Sequence, residues 1–296
     1  MTTPRIAVVI VTWNSAHVLP GLLTTLDAGL GGLRRQVIVA DNASADDSVA
    51  VAQRQAPDCV IVQTGRNAGY AAAINAGLGA AEPYDAALIL NPDIQLEPGC
   101  VPAMYAQLGT AGTGIVVPRI SDGNGRLALS LRREPTLLRG FGEAVLGRRA
   151  GRYPRLGETV LDESVYTQRT TVDWATGAIM LVSAECMTAC GPWDESFFLY
   201  SEETEFALRA RDHGFATRLA PDAHAVHLEG ESKVSPRLWS LLTVNRVKLY
   251  RRRHSAAATA LYWAALLMRE SVRAALGQAR ARKATVALLR PSTLRA

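Results

Sequence analysis

The sequence predicts an α/β fold, a Rossmann-like and mostly parallel sheet flanked by helices, with a basic helical tail behind it. Three observations carry this prediction. Short apolar runs alternate with helical patterns through the first half, polar residues capable of chemistry stand just past those runs, and charge divides between an acidic body and a basic C-terminal stretch. With 296 residues, 48% of them hydrophobic and 20% charged, the chain can bury a full core.

The elements justify themselves in order. Strands are predicted at Ile6–Val11, Val37–Ala40, Val60–Gln63 and Ala86–Leu90, with helices between them around Leu19–Leu26, Asp46–Gln55 and Tyr70–Ala80. Such alternation marks βαβ units and a parallel sheet. The stretch 132–171 is rich in Arg, Gly and Pro and weakly periodic. It reads as a long irregular excursion with one short helix near Leu137–Leu146, and excursions of this length often act as lids. Order returns at Val172–Val182, followed by helices at Ala184–Cys190 and Glu202–His213 and short strands at Thr217–Leu219 and Ala225–His227. Beyond Ser235 the pattern is wholly helical, in two segments split near His254–Ser255. The expected division is a catalytic domain at 1–232 and a basic amphipathic helical tail at 233–296.

The opening MTTPRIAVVIVTWN lacks a basic n-region and a cleavage site, so it reads as a first strand and not as a signal peptide. Cys59, Cys100, Cys186 and Cys190 show neither CxxC nor zinc spacing, and are expected as reduced thiols of a cytoplasmic protein. Residues 233–296 hold 14 Lys and Arg against the single acid Glu270, a net +13; the 18 bases and 26 acids before them leave −8. That tail carries long apolar runs and few stacking aromatics, which argues against nucleic acid. Its apolar run Ala256–Met268 has only 13 residues, too few to span a bilayer. The tail is therefore expected to lie on an anionic membrane surface; packing on the body or into a homo-oligomer is the alternative.

In an open parallel sheet, ligands bind beyond the carboxyl ends of the strands. None of the turns there carries GxGxxG, and the chain has no GxxxxGK[ST]. A nucleotide bound here would be held by side-chain carboxylates and a metal, not by a glycine cradle. Asp93 ends the strand AALIL within Asn91-Pro92-Asp93 and could hold a hard cation against a diphosphate, or simply close a turn. Asp41 likewise ends the strand VIVA, where Ser44 or Asp46 could cap the next helix. Phe197-Phe198-Leu199-Tyr200-Ser201 leads into Glu202, Glu203 and Glu205 in a first helical turn, with Ser201 as the cap. Acids there favour the helix dipole, and a desolvated one is a candidate general base. His227 is a metal ligand or a core histidine.

Together these residues resemble the inverting family 2 glycosyltransferases of the GT-A fold, in the rhamnosyltransferase and galactofuranosyltransferase-like branch. The resemblance covers about Ile6 to Ser232, with five motifs in the family's order. Val9–Ser15, with Thr12 and Asn14, resembles the nucleotide-binding first strand and turn. Asp41-Asn42-Ala43-Ser44 is similar to the motif whose Asp recognises the nucleobase. Asn67-Ala68-Gly69-Tyr70, with Ala73, Asn75 and Gly77, resembles a block near the donor, and Asn91-Pro92-Asp93 the DxD-type metal motif. Trp174-Ala175-Thr176-Gly177-Ala178, then Trp193–Phe198 and Glu202-Glu203, resemble the acceptor-side block with its acidic catalytic pair.

The resemblance implies a donor site of Thr12, Asn14, Asp41, Asn42, Asn67, Gly69, Asn91, Asp93, Trp174 and Gly177. Arg132, in an Arg-x-x-Pro-like element, would touch phosphate or acceptor. Mg2+ or Mn2+ would sit on Asp93 and His227, the latter within His-x-x-Gly-x-Ser, and Glu203 or Glu202 would be the catalytic base. Glu203 stands where the family has Asp, so the choice between the two stays open. The implied reaction moves one sugar with inversion from a nucleotide diphosphate sugar, such as dTDP-rhamnose or a UDP-sugar. The acceptor would be a hydroxyl of a glycan or polyprenyl-linked molecule in cell-envelope synthesis, reached from the cytoplasmic face of the membrane. The rival readings are a sugar nucleotidyltransferase, which wants a Gly-rich basic loop that Thr12–Ser15 lacks, and a catalytically weak nucleotide-sugar-binding module.

Overall fold

A computed structural model describes residues 3–228 and 235–290, which fall into two compact units. The first unit comprises residues up to 130, 163–198 and 202–230. It opens with β1 (Arg5–Thr12), α1 (Leu19–Leu30), β2 (Arg34–Asp41), α2 (Ser48–Gln55), β3 (Val60–Gln63), α3 (Tyr70–Gly79) and β4 (Ala86–Leu90). The βαβ beat read from the sequence is therefore present, each element within a few residues of its predicted bounds. β5 (Ile94–Leu96), α4 (Cys100–Leu108) and β6 (Thr113–Asp122) come next; the sequence reading left this stretch without elements. After β7 (Leu131–Arg132) and α5 (Leu137–Leu146) the chain returns with β8 (Thr170–Val172), β9 (Trp174–Ala175), β10 (Ile179–Ser183), α6 (Ala184–Cys190), α7 (Glu202–Asp212) and β11 (Ala216–His227).

Among the described residues the main sheet runs β3-β2-β1-β4-β10-β6-β11-β5, with β8 on β11. β3, β2, β1 and β4 are parallel, as are β6 and β11, and these ladders hold most of the paired residues. β10 runs antiparallel between β4 and β6. Both faces of the central strands are buried, so β1 shows no inside-outside alternation. One face, with Ile6, Val8, Ile10, Val39 and Leu88, packs against Leu19, Leu22 and Leu26 of α1 and Val101 and Met104 of α4. On β1 and β2 also lies α3, where a Cβ at Gly77 would come within 2.7 Å of Val9 Cγ1. β11 is one strand and not the two predicted, because the break between Ala220 and His224 is a register shift within it.

The second unit comprises 131–162, 199–201 and the residues after 230. The excursion 132–162, read from sequence as part of the body, thus clusters with the C-terminal helices. These helices are α8 (Pro236–Arg253), α9 (Ala256–Ala275) and α10 (Ala279–Leu288), three rather than the two predicted, because Gly277 at φ 88° breaks the last segment. The expected boundary at 232–233 lies outside the described residues. Val247, Tyr250, Tyr262, Leu266 and Leu288 form the apolar core, with Tyr250 stacked on Tyr262 at 4.1 Å. Beside it lies a largely buried ionic network. Arg246 pairs with Glu143 and Glu158, Arg269 with Glu143 and Glu270, and Trp239 Nε1 donates to Glu270 Oε2 at 2.8 Å. Among the described residues no helix is long and apolar enough to cross a membrane.

Candidate active site

The carboxyl ends of β1 and β2 are tied together by side chains. Thr12 Oγ1 donates to Asp41 Oδ1 at 2.8 Å, and the Ser44 amide and hydroxyl both donate to the same carboxylate. Asp41 is consequently buried, and its polar capacity goes largely into holding its own loop. Asn14, left-handed at φ 52°, donates its amide to Ser44 Oγ and accepts from the Ala45 amide. Trp13 beside it is 56% exposed.

Asn42 reaches the other way. Its Nδ2 donates to the Gly69 carbonyl and its Oδ1 accepts from Ala68 N and Thr64 Oγ1. It braces the Asn67–Gly69 loop, where Asn67 Oδ1 accepts from the Gly69 amide. Gly69 has φ 97°, and a Cβ there would lie 2.3 Å from the Phe198 carbonyl oxygen, so only glycine fits. The same Phe198 oxygen accepts the Tyr70 amide at 2.9 Å. Asn75 exchanges two hydrogen bonds with the Trp193 backbone, and Trp193 stacks on Phe206 at 4.4 Å. The third and fifth sequence motifs therefore meet in space, through residues that act as scaffold.

Asp93 closes the turn after β4. Asn91 N donates to the Ala178 carbonyl, and β5 pairs with the end of β11 so that Ile94 faces His227. His227 Nε2 stands 3.1 Å from Asp93 Oδ2, both side chains being largely buried. The two expected metal ligands are thus adjacent. Their spacing suits neighbouring positions around one cation, which at bond lengths of about 2.1 Å lie about 3 Å apart. An oxygen and an imidazole nitrogen form a donor set acceptable to Mn2+. Gly230 and Ser232 of the His-x-x-Gly-x-Ser element lie outside the described residues.

Tyr70 joins this pair to the acids of α7. Its hydroxyl donates to the Gly177 carbonyl at 3.0 Å. Burial, then the negative charge of Glu202, Glu203 and Asp93, hold the Tyr70 hydroxyl well above its ordinary range. The sequence reading quoted Tyr70 only as a motif letter; its neighbours become visible only in three dimensions. Glu202 is buried, whereas Glu203 is half-buried with its Cβ and Cγ over Gly177, where an added Cβ would sit 3.1 Å away. Glu205 lies apart from this role, in an i,i+4 ion pair with Arg209 at 2.9 Å.

Ser201, expected as the α7 cap, sits at φ 76°, and Tyr200 before it at φ 68°. A capping residue takes extended backbone, so the cap expectation is corrected. Two consecutive left-handed residues are costly, about 1–3 kcal/mol each. Asn245 of α8 answers them from within their own unit, its Nδ2 donating at 3.0 Å to both the Leu199 and Tyr200 carbonyls. No sequence motif pointed to Asn245. Trp174 lies in β9, two residues before the Thr176 amide that donates to the Ser130 carbonyl. Arg132 belongs to the second unit, its Nη1 donating to the Leu131 carbonyl at 3.1 Å.

A mostly parallel sheet flanked by helices, with acids at its strand ends, is the architecture of the GT-A glycosyltransferases. The profile described as Glycosyl transferase family 2 matches residues 7–179, and the chain belongs to that family. It is 31% identical over 207 residues to the N-acetylglucosaminyl-diphospho-decaprenol L-rhamnosyltransferase of Mycobacterium tuberculosis, covering 66% of this chain and 67% of that one. Among solved structures, the mannosyltransferase PcManGT from Pyrobaculum calidifontis, in complex with GDP-Man and Mn2+, matches with TM-score 0.60. It is 16% identical and covers 99% of this chain and 83% of that one. S. aureus TarS 1-349 matches with TM-score 0.54 at 13% identity, over 96% of this chain and 90% of that one. The two structural likenesses bear on the fold.

Proposed function

We propose that the protein transfers one sugar, with inversion, from a nucleotide diphosphate sugar to a hydroxyl of a polyprenyl-linked glycan acceptor. The observation that carries this reading is the pairing of Asp93 with His227 at 3.1 Å, beside a buried Tyr70 whose hydroxyl also feels the charge of Glu202 and Glu203. In this reading the leaving-group end and the base lie near the same tyrosine. The rhamnosyltransferase relative supports dTDP-rhamnose as the first donor to try and a lipid-diphosphate acceptor, UDP-sugars being next. Such an acceptor is met at the cytoplasmic face of a cell membrane, with the enzyme bound peripherally.

In this mechanism Glu203, the more open of the two acids, takes the proton from the acceptor hydroxyl. The oxygen attacks the anomeric carbon from the face opposite the nucleotide, and that single displacement inverts the centre. Glu202, buried at the start of α7, positions its neighbour. Asp41 and Asn42 fix the loops that shape the nucleotide end, and the exposed Trp13 offers a face for a base to stack on. Asp93 and His227 would hold Mg2+ or Mn2+, which supplies Lewis-acid stabilisation of charge on the leaving diphosphate.

Isothermal titration of dTDP and UDP in the presence and absence of Mn2+ tests the assignment. Asp93→Ala should keep the fold and lose metal-dependent nucleotide affinity by about tenfold or more. Unchanged metal-dependent affinity in that variant removes Asp93 from the metal site.

A further inference from the structure

Helix α9 is built inside out. A helix at a protein surface normally buries an apolar stripe and turns its charges to water. In α9 the charged pair Arg269 and Glu270 is buried, in the ionic network with Glu143. Every exposed position of the helix is alanine or a larger apolar residue. The larger ones, Leu261, Met268 and Val272, are 53%, 40% and 50% exposed, and Leu276 just past the helix end is 75% exposed. Their spacing of seven, four and four residues places them on one stripe.

A second stripe stands on α5, which packs on α9 where Gly140 rests against Tyr262 and Ala265. Leu138, Phe141 and Val145, three and four residues apart, are all exposed. Arg148, Arg149 and Arg152 follow at once, also exposed. Exposed apolar surface of this extent marks an interaction face.

Charge decides the occupant. Among the described residues of this unit, every exposed charged side chain is basic except Asp162. A second copy of the chain would bring arginines against arginines, and a neutral partner would leave them unused. An anionic bilayer surface satisfies both features, with apolar side chains among the acyl chains and guanidinium groups at the headgroups. Twenty residues of helix give about 30 Å lying flat in the interface.

We propose that the outward faces of α9 and α5 form a membrane-docking surface for anionic lipid. The inference deepens the lipid-linked acceptor reading and rests on it for its purpose, though not for its geometry. It also changes which segments enter the membrane. Val247, Leu249 and Tyr250 of α8 are buried, two of them in the unit's own core, while α5 from the middle of the chain takes part.

The test is co-sedimentation of the full chain with phosphatidylcholine vesicles carrying about a quarter phosphatidylglycerol, and with pure phosphatidylcholine vesicles. Two double variants, L261E/V272E and L138E/V145E, accompany the wild type, with circular dichroism as the check of folding and size-exclusion chromatography as the check of association. All four positions are exposed and outside the crevice around Tyr70. Wild type should bind the anionic vesicles, and each folded variant should bind at least tenfold more weakly. Hydrolysis of dTDP-rhamnose or UDP-sugars, read without vesicles, should be the same in all three proteins. Unchanged binding in both variants, or equal wild-type binding to the neutral vesicles, overturns the proposal. A wild-type dimer that both variants dissolve, with no vesicle binding, overturns it in favour of a second copy. Loss of vesicle binding in proteins that hydrolyse no nucleotide sugar leaves the docking face standing and sinks the transfer reading instead.

Discussion

Two neighbouring acids differ in surroundings although the sequence makes them equals. Glu202 is buried at the first position of α7, and Glu203 faces Gly177 with part of its side chain open. A base must reach a substrate hydroxyl, which favours Glu203. Its extra methylene relative to Asp is met by a glycine opposite, so the longer side chain has room to lie along Gly177. Both acids follow directly in the chain on the left-handed pair Tyr200 and Ser201, and Asn245 holds the Leu199 and Tyr200 carbonyls. Asn245→Ala should lower kcat by about tenfold to a hundredfold, since a shift of about 1 Å in a reacting group costs that much. Nucleotide affinity, measured by calorimetry, should stay within about twofold, whereas a general loss of structure would move both. Asn245 had no signal in the sequence, where it is one polar residue among several in a mixed helical run with Thr243, Arg246 and Lys248. Asp93, Asp41 and the acidic pair drew attention in the sequence because each stands at or just past the end of an apolar run or at the start of a helical pattern.

Among elements, β1, β2, β3 and β4 were legible as short apolar runs without alternation, β1 and β4 being buried along almost their whole length. The stretch from Ile94 to Asp122 was not. Its strand β6 contains Pro118 and a polar end, and α4 carries Pro102 near its start, so neither shows a clean period. The pairing of β10 antiparallel between β4 and β6 is a long-range choice with no local signature. The C-terminal helices were legible as helices but misleading as surfaces, because Arg246, Arg269 and Glu270 look like a solvated face in sequence. In the structure they form one network with Glu143 and Glu158, with side chains 15% exposed or less. Arg246→Leu removes the cation shared by two buried carboxylates, and breaking such a pair from one side costs about 3–5 kcal/mol. Urea denaturation should show that loss; a change below about 1 kcal/mol would mean that the network is peripheral to stability.

At the scale of the whole molecule, charge divides between an acidic −8 over residues 1–232 and a basic +13 over residues 233–296. The sequence reading divides the chain at 232–233 by charge, helical pattern and the extent of the resemblance, whereas residues 131–162 cluster with the C-terminal helices through contacts far apart in the chain. The first unit belongs to glycosyl transferase family 2 across most of its length, and its crevice gathers Asp93, His227, Tyr70, Glu202 and Glu203. The central claim is a single displacement driven by Glu203, and proton NMR of transfer from an anomerically defined nucleotide sugar reads it directly. The account predicts a first product with inverted anomeric configuration, formed about a hundredfold or more slowly by Glu203→Gln at unchanged donor affinity. A product with retained configuration, or a Glu203→Gln variant that turns over at the wild-type rate, would contradict it.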